Sequence, residues 1–584
     1  MRTPTPSRLS AMNSPERCSC IVSASLRSGG EGLRVAGDES RFPGTSAAEP
    51  QWDGSWGCSG LLLDRKRGLV LCHGQIFFPF LRQTKQDPSR QPLLLPGAFH
   101  AHLQIHIQFP GACSNTQPKP VLPLASNDAG ALDPQSESRN LDYSPKLPSL
   151  TAGLVKAQSS SQAEMLMVFP CPEFRDIFKS LFSKSDKWHF YNEDEEQELQ
   201  ADPLDLVWFA LLRCPGWVAG DAVVGGETLR YVRSECLRKG QPLFSCASPF
   251  ASFCTEIFMN TFSKGIVSNL AGERNAMILT DARCLPGTEG GGVYIKSQDL
   301  YYLAGLIVAP LCWKASEWVG LTLVCSITCI LETIRRILNG FEIFGPPPLT
   351  APGSHALTQL LGTVALLESD RVWGSGVVVG PRLIITCRHV LDRAPSVRVK
   401  IQSDSNSYLV LKGRVVFATK EDSAYDVAVV ELEEDLSSIE IPTIASDFKM
   451  GEDVYIIGYG VFGCTCGPSV TAGILSAVIT MEDQPVMLQT TCAVHAGASG
   501  GPVFRTKTGE LLGIVSSNAR NNNRGATYPH LNFSFPITVL CPLLSAYDQT
   551  RDATVFEGLN KGNEHLRALW RLQGRTSTPW RSKL

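Results

Sequence analysis

Several features are missing from this 584-residue chain, and each absence narrows its reading. Charge of one sign does not accumulate: 53 basic and 56 acidic side chains leave a formal net charge of −3. There is thus no basic field to hold a polyanion, and nucleic acid is not an expected partner. No apolar run reaches the roughly 20 residues that a membrane-spanning helix needs. The most apolar stretch, WVGLTLVCSITCIL from Trp318 to Leu331, leads into acidic and basic residues and reads as a buried strand entering a helix. No membrane span is expected. The first thirty residues hold no unbroken apolar segment followed by a cleavage site, so no secretory signal is expected. Without one, the nineteen cysteines read as free thiols, mostly buried small apolar groups, and not as disulfides. Cys464 and Cys466, in GCTCGP, have no second pair at structural-zinc spacing nearby. They read as a turn bearing two thiols, and neither a metal nor a cofactor is expected.

What is present is a globular composition, 43% apolar and 19% charged, at a length that calls for two or more domains. The segment FGPPPLTAPG, 344–353, cannot be a helix or a central strand, because proline fixes φ and removes a donor. It follows an amphipathic segment, Cys329–Leu338, and marks a domain boundary. Beyond it come many short runs rich in Val and Ile, such as GSGVVVG, RLIITC, VAVVEL, DVYIIGYG and LLGIVSS, separated by Gly, Pro, Asp and Ser. That punctuation predicts an all-β barrel or sandwich. The amino-terminal part carries similar runs around Ser-, Pro- and Gln-rich stretches at 27–50 and 112–165. Four of its segments parallel the second part in order. WGCSGLLLDRKRGLVLCHG matches WGSGVVVGPRLIITCRHV, and PLDLVWFALL matches AYDVAVVEL. CLPGTEGGGVYI matches VHAGASGGPVF, and LAGLIVA matches LLGIVSS. The chain therefore reads as an internal duplication.

The chemistry concentrates in the second copy. In Gly497-Ala498-Ser499-Gly500-Gly501-Pro502 the glycines permit a sharp turn that would aim the N–H groups of Gly497 and Ser499 at one point, an oxyanion hole. Alone, this could be a glycine-rich hairpin with an incidental serine. A serine needs a base, and His389 follows the strand-like RLIITC. The base needs an orienting acid, and Asp426 stands at the mouth of VAVVEL, with Asp422 as the fallback. Taken singly, His389 reads as a surface histidine and Asp426 as a solvated turn acid. Together they give the order His–Asp–Ser, that of chymotrypsin-type enzymes and not of subtilisin or the α/β-hydrolases. In the first copy Glu289 stands where Ser499 does, Asp205 is read opposite Asp426, and His73 is read near His389. That half is expected to be a copy without a nucleophile. The pocket floor should be Ala493 and Val494 with no acid to receive a basic side chain, faced by Ser516, Ser517 and Asn518.

TCRHV, YDVAVVEL, GASGGPVF, LLGIVSS and NFSFPI, in this order, make 356–540 resemble the trypsin-like protease domain of the Deg/HtrA group, though no PDZ-like segment follows. With the degenerate first half and the terminal Ser582-Lys583-Leu584, read by the peroxisomal import receptor as an address, the whole chain resembles the peroxisomal leader-peptide-processing protease family. The resemblance implies a serine endopeptidase of the peroxisomal matrix that removes targeting leader peptides from imported precursors and processes β-oxidation enzymes. It also implies cysteine at the P1 position. On that basis Cys113, at the start of the exposed stretch, is a candidate self-cleavage site. The expected layout is a flexible segment 1–17, with the start at Met1 or Met12 left open, and a degenerate trypsin-like domain 18–343 interrupted by a disordered loop at about 112–165. A Pro-rich linker 344–355, a catalytic trypsin-like double β-barrel 356–548 and a tail 549–584 follow. The expected partners are precursor proteins and the import receptor, with a homo-oligomer left open. A peptide-binding scaffold or chaperone built from two such units is the alternative.

Overall fold

The computed structural model describes residues 14–27, 55–82, 91–110, 160–182, 188–190, 203–215, 229–250, 255–339 and 355–571. Within the last two stretches, 298, 311, 315–316, 370–371, 405–406, 437–438, 522–525 and 562–563 are excepted. The Pro-rich linker at 344–353, Cys113 and Ser582–Leu584 lie outside the described residues.

Four closed six-stranded barrels follow one another along the chain. The second half holds two of them. The first is built from Val364–Glu368, Trp373–Gly380, Leu383–Thr386, Ser396–Asp404, Ser407–Ala418 and Ala428–Leu432. The next is built from Asp453–Gly458, Ser469–Met481, Gln484–Thr490, Pro502–Arg505, Leu511–Asn521 and Ala526–Pro536. Counted within its own barrel, each set closes in the order 1-2-3-6-5-4. The two barrels of the amino-terminal half, between Ser19 and Arg213 and between Pro242 and Ser326, close in the same order. The duplication read from sequence is thus a duplication of topology. Short strands such as LIIT at Leu383–Thr386 and LVLCH at Leu69–His73 are buried at every position, so they run apolar without alternation. Trp318–Leu331 becomes the strand Thr322–Ser326 and then the helix Ile327–Ile337, capped by the Ser326 hydroxyl, which accepts from the Thr328 N–H. No helix among the described residues is long and apolar enough to cross a membrane.

The halves share one body. The strand Thr261–Ala271 of the first lies along Ser469–Met481 of the second. Asn269 Nδ2 donates to Ser469 Oγ at 2.8 Å and to the Gly467 carbonyl at 3.2 Å. The buried Asp281 carboxylate accepts from the Ile266 N–H at 2.8 Å within its own half and from the Ala472 N–H at 2.7 Å across the boundary. Lys239 Nζ crosses in the same way to the carbonyls of Cys466 and Pro468, at 2.9 and 2.8 Å. Trp188 stacks on Phe462 at 5.6 Å, and Val461, Phe462 and Cys466 belong to the apolar core of the amino-terminal half. All seventeen described cysteines are free thiols, most of them buried.

Three segments differ from their sequence reading. Residues 160–165, assigned to the disordered loop, open the strand Ser160–Pro170, whose first four residues pair with Leu103–Gln108. The segment 1–17, read as flexible, ends in a helix, Pro15–Cys18, with Pro15 buried. The tail after 548 is not free up to Arg571: Phe556, Leu559 and Leu566 are buried, and Trp570 lies 4.2 Å from the Phe535 ring. These apolar side chains recur at helical spacing and cover the barrel, which a mostly polar composition concealed.

Candidate active site

His389 sits in a single 3₁₀ turn, Arg388–Leu391, directly after the strand Leu383–Thr386 and Cys387. Asp426 precedes the neighbouring strand, Ala428–Leu432. Because the two strands pair, with Thr386 opposite Ala428, the two side chains emerge at the same end of one barrel. Asp426 holds His389 twice: Oδ2 is hydrogen-bonded to the ring Nδ1, and Oδ1 accepts from the His389 N–H at 3.1 Å. Arg388 Nε lies 3.5 Å from the same Oδ1. Burial works to raise the Asp426 carboxyl. The hydrogen bonds and charge of His389, with the Arg388 guanidinium, outweigh it and hold the group below its ordinary value. The carboxylate therefore stays ionised, fixing the proton on Nδ1 and leaving Nε2 as the basic nitrogen. The fallback acid, Asp422, is outside this pair; its carboxylate lies 3.9 Å from Arg567.

Ser499 comes from the other barrel, on the turn before Pro502–Arg505. It lines the same cavity, of about 580 Å³, as His389 and Asp426. Its hydroxyl donates to the Ser516 carbonyl at 3.3 Å and not to His389, the loose arrangement common in a site without substrate. The turn depends on glycine. Gly497 has φ +90°, and a Cβ there would fall 2.3 Å from the Trp373 ring. Gly500 has φ +83°, and a Cβ there would fall 2.1 Å from the Ser375 carbonyl. Ser375, fully buried, staples the turn: its Oγ donates to the Gly497 carbonyl and accepts from the Tyr459 N–H, both at 2.8 Å. The Gly500 and Gly501 N–H groups are used within the fold, by Val515 O and Ala498 O. Those of Gly497 and Ser499 meet no acceptor among the described residues. Cys387 Sγ lies with the His389 and Asp426 ligand atoms within 4.8 Å. Its thiol is wholly buried, pushed far up by that burial, and bonded to Val515 O, which suits packing and not metal binding.

Of the pocket residues read from sequence, Val494, Ser516, Ser517 and Asn518 line the cavity. Asn518 Nδ2 donates to the Val494 carbonyl at 2.7 Å and ties the two walls together. Ala493 does not line it; it is buried behind, with its carbonyl accepting from Thr471 Oγ1 at 2.9 Å. The sequence reading missed His495, Ala496 and Thr527, and also Lys314 and Glu317 from the amino-terminal half. His495, four residues before the serine, was within reach of motif reasoning. Its Nδ1 accepts from the Val461 N–H at 3.1 Å, and burial pushes it down to about 4, so its imidazole is neutral.

The amino-terminal half repeats the scaffold and not the chemistry. Ser59 staples Gly287 as Ser375 staples Gly497: its Oγ donates to the Gly287 carbonyl at 2.9 Å and accepts from the Ser248 N–H at 2.8 Å. Gly287 and Gly290 have φ +88° and +79°, and Glu289 occupies the serine position. Strand register corrects the other two assignments. Gly60 pairs with Cys72 as Gly376 pairs with Thr386, so His73 matches Cys387, and the residue at the His389 position is Gln75. Cys72 pairs with Ala210 as Thr386 pairs with Ala428, so the Asp426 position holds Trp208. Asp205 lies three residues earlier, in the 3₁₀ turn Pro203–Val207. His73 is buried, bonded to the Leu206 carbonyl at 3.0 Å.

Residues 374–514 match the family described as a trypsin-like peptidase domain, and with the paired barrels this makes the chain a trypsin-like serine endopeptidase. Over 583 residues it is 44% identical to the peroxisomal leader peptide-processing protease of Mus musculus, covering 96% of this chain and all of the relative. The Homo sapiens protein of the same name is 42% identical over 606 residues, 98% of this chain and 99% of the relative. A probable periplasmic serine endoprotease, DegP-like, of Buchnera aphidicola is 33% identical over 150 residues, 24% of this chain and 30% of that protein. The chain belongs to the peroxisomal leader peptide-processing protease family, and it is a peroxisomal protein.

Proposed function

We propose that this protein cuts leader peptides from imported peroxisomal precursors and processes peroxisomal β-oxidation enzymes, with Ser499 as nucleophile. His389 takes the Ser499 proton and returns it to the leaving amine, while Asp426 holds the imidazole tautomer and offsets the imidazolium charge. The N–H groups of Gly497 and Ser499 receive the oxyanion. Val494, Ser516, Ser517 and Asn518 form the P1 pocket, and none of the four carries a charge, in keeping with an uncharged P1 side chain such as cysteine. The import receptor takes the terminal Ser582-Lys583-Leu584, and Cys113 is the self-cleavage site. The catalytic unit spans about 356–548, and the degenerate unit before it spans about 18–343.

The observation that carries this reading is the doubly hydrogen-bonded Asp426–His389 pair in one cavity with Ser499, beside two unused N–H groups. A scaffold that only held peptide would have no use for it. The test is cleavage of a presequence peptide containing cysteine by wild type and by Ser499→Ala, with fluorophosphonate labelling alongside. Cleavage and labelling lost only in the variant are the expected result. Equal cleavage by both proteins would sink the assignment, and binding without cleavage by wild type would point to the scaffold.

A further inference from the structure

Among the described residues, the catalytic half supplies its substrate cavity with no charged side chain beyond the Asp426–His389 pair itself. Val494, Ala496, Ser516, Ser517, Asn518 and Thr527 are uncharged, and His495 is held neutral by burial. The remaining charged side chains in the cavity wall, Lys314 and Glu317, come from the other half of the chain. They sit on a three-stranded sheet that is part of no barrel, made of Trp188–Phe190, Cys312–Lys314 and Glu317–Trp318. In it Lys314 is directly opposite Glu317, so their Cβ atoms are about 5 Å apart.

The sheet is fastened to the pocket at three places. Gly320, at φ +73°, brings the chain so close that a Cβ would stand 3.1 Å from Pro529 and 3.3 Å from the Ala493 Cβ, behind the pocket floor. The Trp318 ring meets His530 edge-on at 5.8 Å. Lys314 Nζ reaches the Val461 carbonyl at 3.5 Å and lies over the Trp188 ring at 5.3 Å, while Trp188 stacks on Phe462. The aliphatic stem is thus held by aromatic surface, and the ammonium is presented at the cavity. Both side chains are half-buried.

We infer that Lys314 and Glu317 are specificity-determining residues of the protease, and that the amino-terminal half acts by lending the substrate pocket a balanced pair of opposite charges. Because the two charges balance, a charged P1 side chain of either sign gains no net attraction to offset its desolvation, so both are disfavoured and a small uncharged side chain is accepted. Specificity of this kind comes from penalising the wrong substrate as much as from attraction of the right one. The retention of a half with Gln75, Trp208 and Glu289 at the triad positions then has a chemical reason.

The inference rests on the active-site reading above, and its test separates the two. Full-length wild type, Lys314→Met, Glu317→Gln and the double variant are given peptides that differ only at P1: cysteine, lysine or aspartate. Each protein is first titrated with a fluorophosphonate, which reports on Ser499 independently of P1. The expected result for Lys314→Met is a rise of about tenfold in the ratio of kcat/KM for P1 lysine over P1 aspartate. For Glu317→Gln the same ratio falls by about tenfold, and the double variant returns toward wild type. Lys314→Met gives up a contact with Trp188, so Glu317→Gln, which preserves shape, keeps the test decisive if the former fails to fold. Titratable Ser499 with an unmoved ratio in Glu317→Gln overturns the inference and leaves the triad intact. Loss of fluorophosphonate labelling in wild type itself overturns the triad.

Discussion

Ser375 and Ser59 are one device used twice, and comparing them separates catalysis from stability. Each hydroxyl is fully buried, donates to the carbonyl of a left-handed glycine, and accepts from a backbone N–H of the neighbouring barrel. Ser375→Ala strands a buried acceptor and a buried donor, at about 1–3 kcal/mol each, or roughly 2–6 kcal/mol of stability. In Ser59→Ala the Gly287 carbonyl keeps the residue-59 N–H, 3.1 Å away, so only the Ser248 N–H is stranded, at about 1–3 kcal/mol. Only at Ser375 does the released glycine, Gly497, lie beside the proposed nucleophile, Ser499. Removing an oxyanion donor outright costs about 10²–10³ in kcat, so loosening one should lower kcat by roughly tenfold to a hundredfold. The assay is urea unfolding for both variants, and kcat on a presequence peptide normalised to fluorophosphonate-titrated sites. Ser59→Ala should lose stability, though less than Ser375→Ala, and keep its turnover per titrated site. Equal losses of kcat in the two, or a Ser375→Ala enzyme turning over as wild type, would refute the reasoning.

Asp426→Asn should lower kcat by about 10⁴ with KM little changed, because it removes both the charge and the tautomer control; stopped assays at high enzyme concentration check it. Stability should depend on pH through two histidines and an aspartate of opposite sign. Burial holds His73 and His495 at about 4, against 6.5, so the unfolded chain binds protons first. Their contribution is complete above about pH 6.5 and is lost as pH falls toward 4, up to about 3 kcal/mol each. Burial raises Asp281 to about 6, against 3.8, so its folded form takes a proton first and gains stability as pH falls from 6 to 3.8, by about 3 kcal/mol at most. As pH is lowered from 7 to 4, urea midpoints should therefore fall more steeply in Asp281→Asn than in wild type, and a parallel pair of curves would count against this balance.

What the sequence made legible was local. His389, Asp426 and Ser499 each stand at the end of a short strand-like run, and the GASGGP turn carries its glycine requirement openly. The barrels followed from Val- and Ile-rich runs with turn residues between them. Register was not legible. A histidine at a strand end and an aspartate before a strand looked like partners for His389 and Asp426, but pairing puts Gln75 and Trp208 there. A 3₁₀ turn, Pro203–Val207, offsets Asp205 in a way no apolar pattern announces. Lys314 and Glu317 were invisible for another reason. They reach the cavity only through the packing of one half on the other, more than a hundred residues away in the chain from the groups they approach.

That packing also bears on what self-cleavage at Cys113 would leave behind. The cut would fall between Leu103–Gln108 and Ser160–Pro170, which are neighbours in one barrel wall, with Ile105 opposite Ala163 and Ile107 opposite Ser161. The leading fragment would own four of the six strands of that barrel, Ser19–Leu26, Trp56–Asp64, Leu69–His73 and Leu103–Gln108. The trailing fragment would own the other two, Ser160–Pro170 and Trp208–Arg213. Neither fragment can close the barrel alone, since each would expose unpaired strand edges and the buried faces of Leu61, Leu71, Leu211 and Phe169. Separation is therefore opposed by the whole of one core, and a cut in the connecting segment removes only its chain connectivity. The expected outcome is that nicked protein co-elutes as one particle on gel filtration, splits into two bands on a denaturing gel, and keeps its peptidase activity. Fragments that part without denaturant, or activity lost at the rate of nicking, would show that the connecting segment itself holds the fold together.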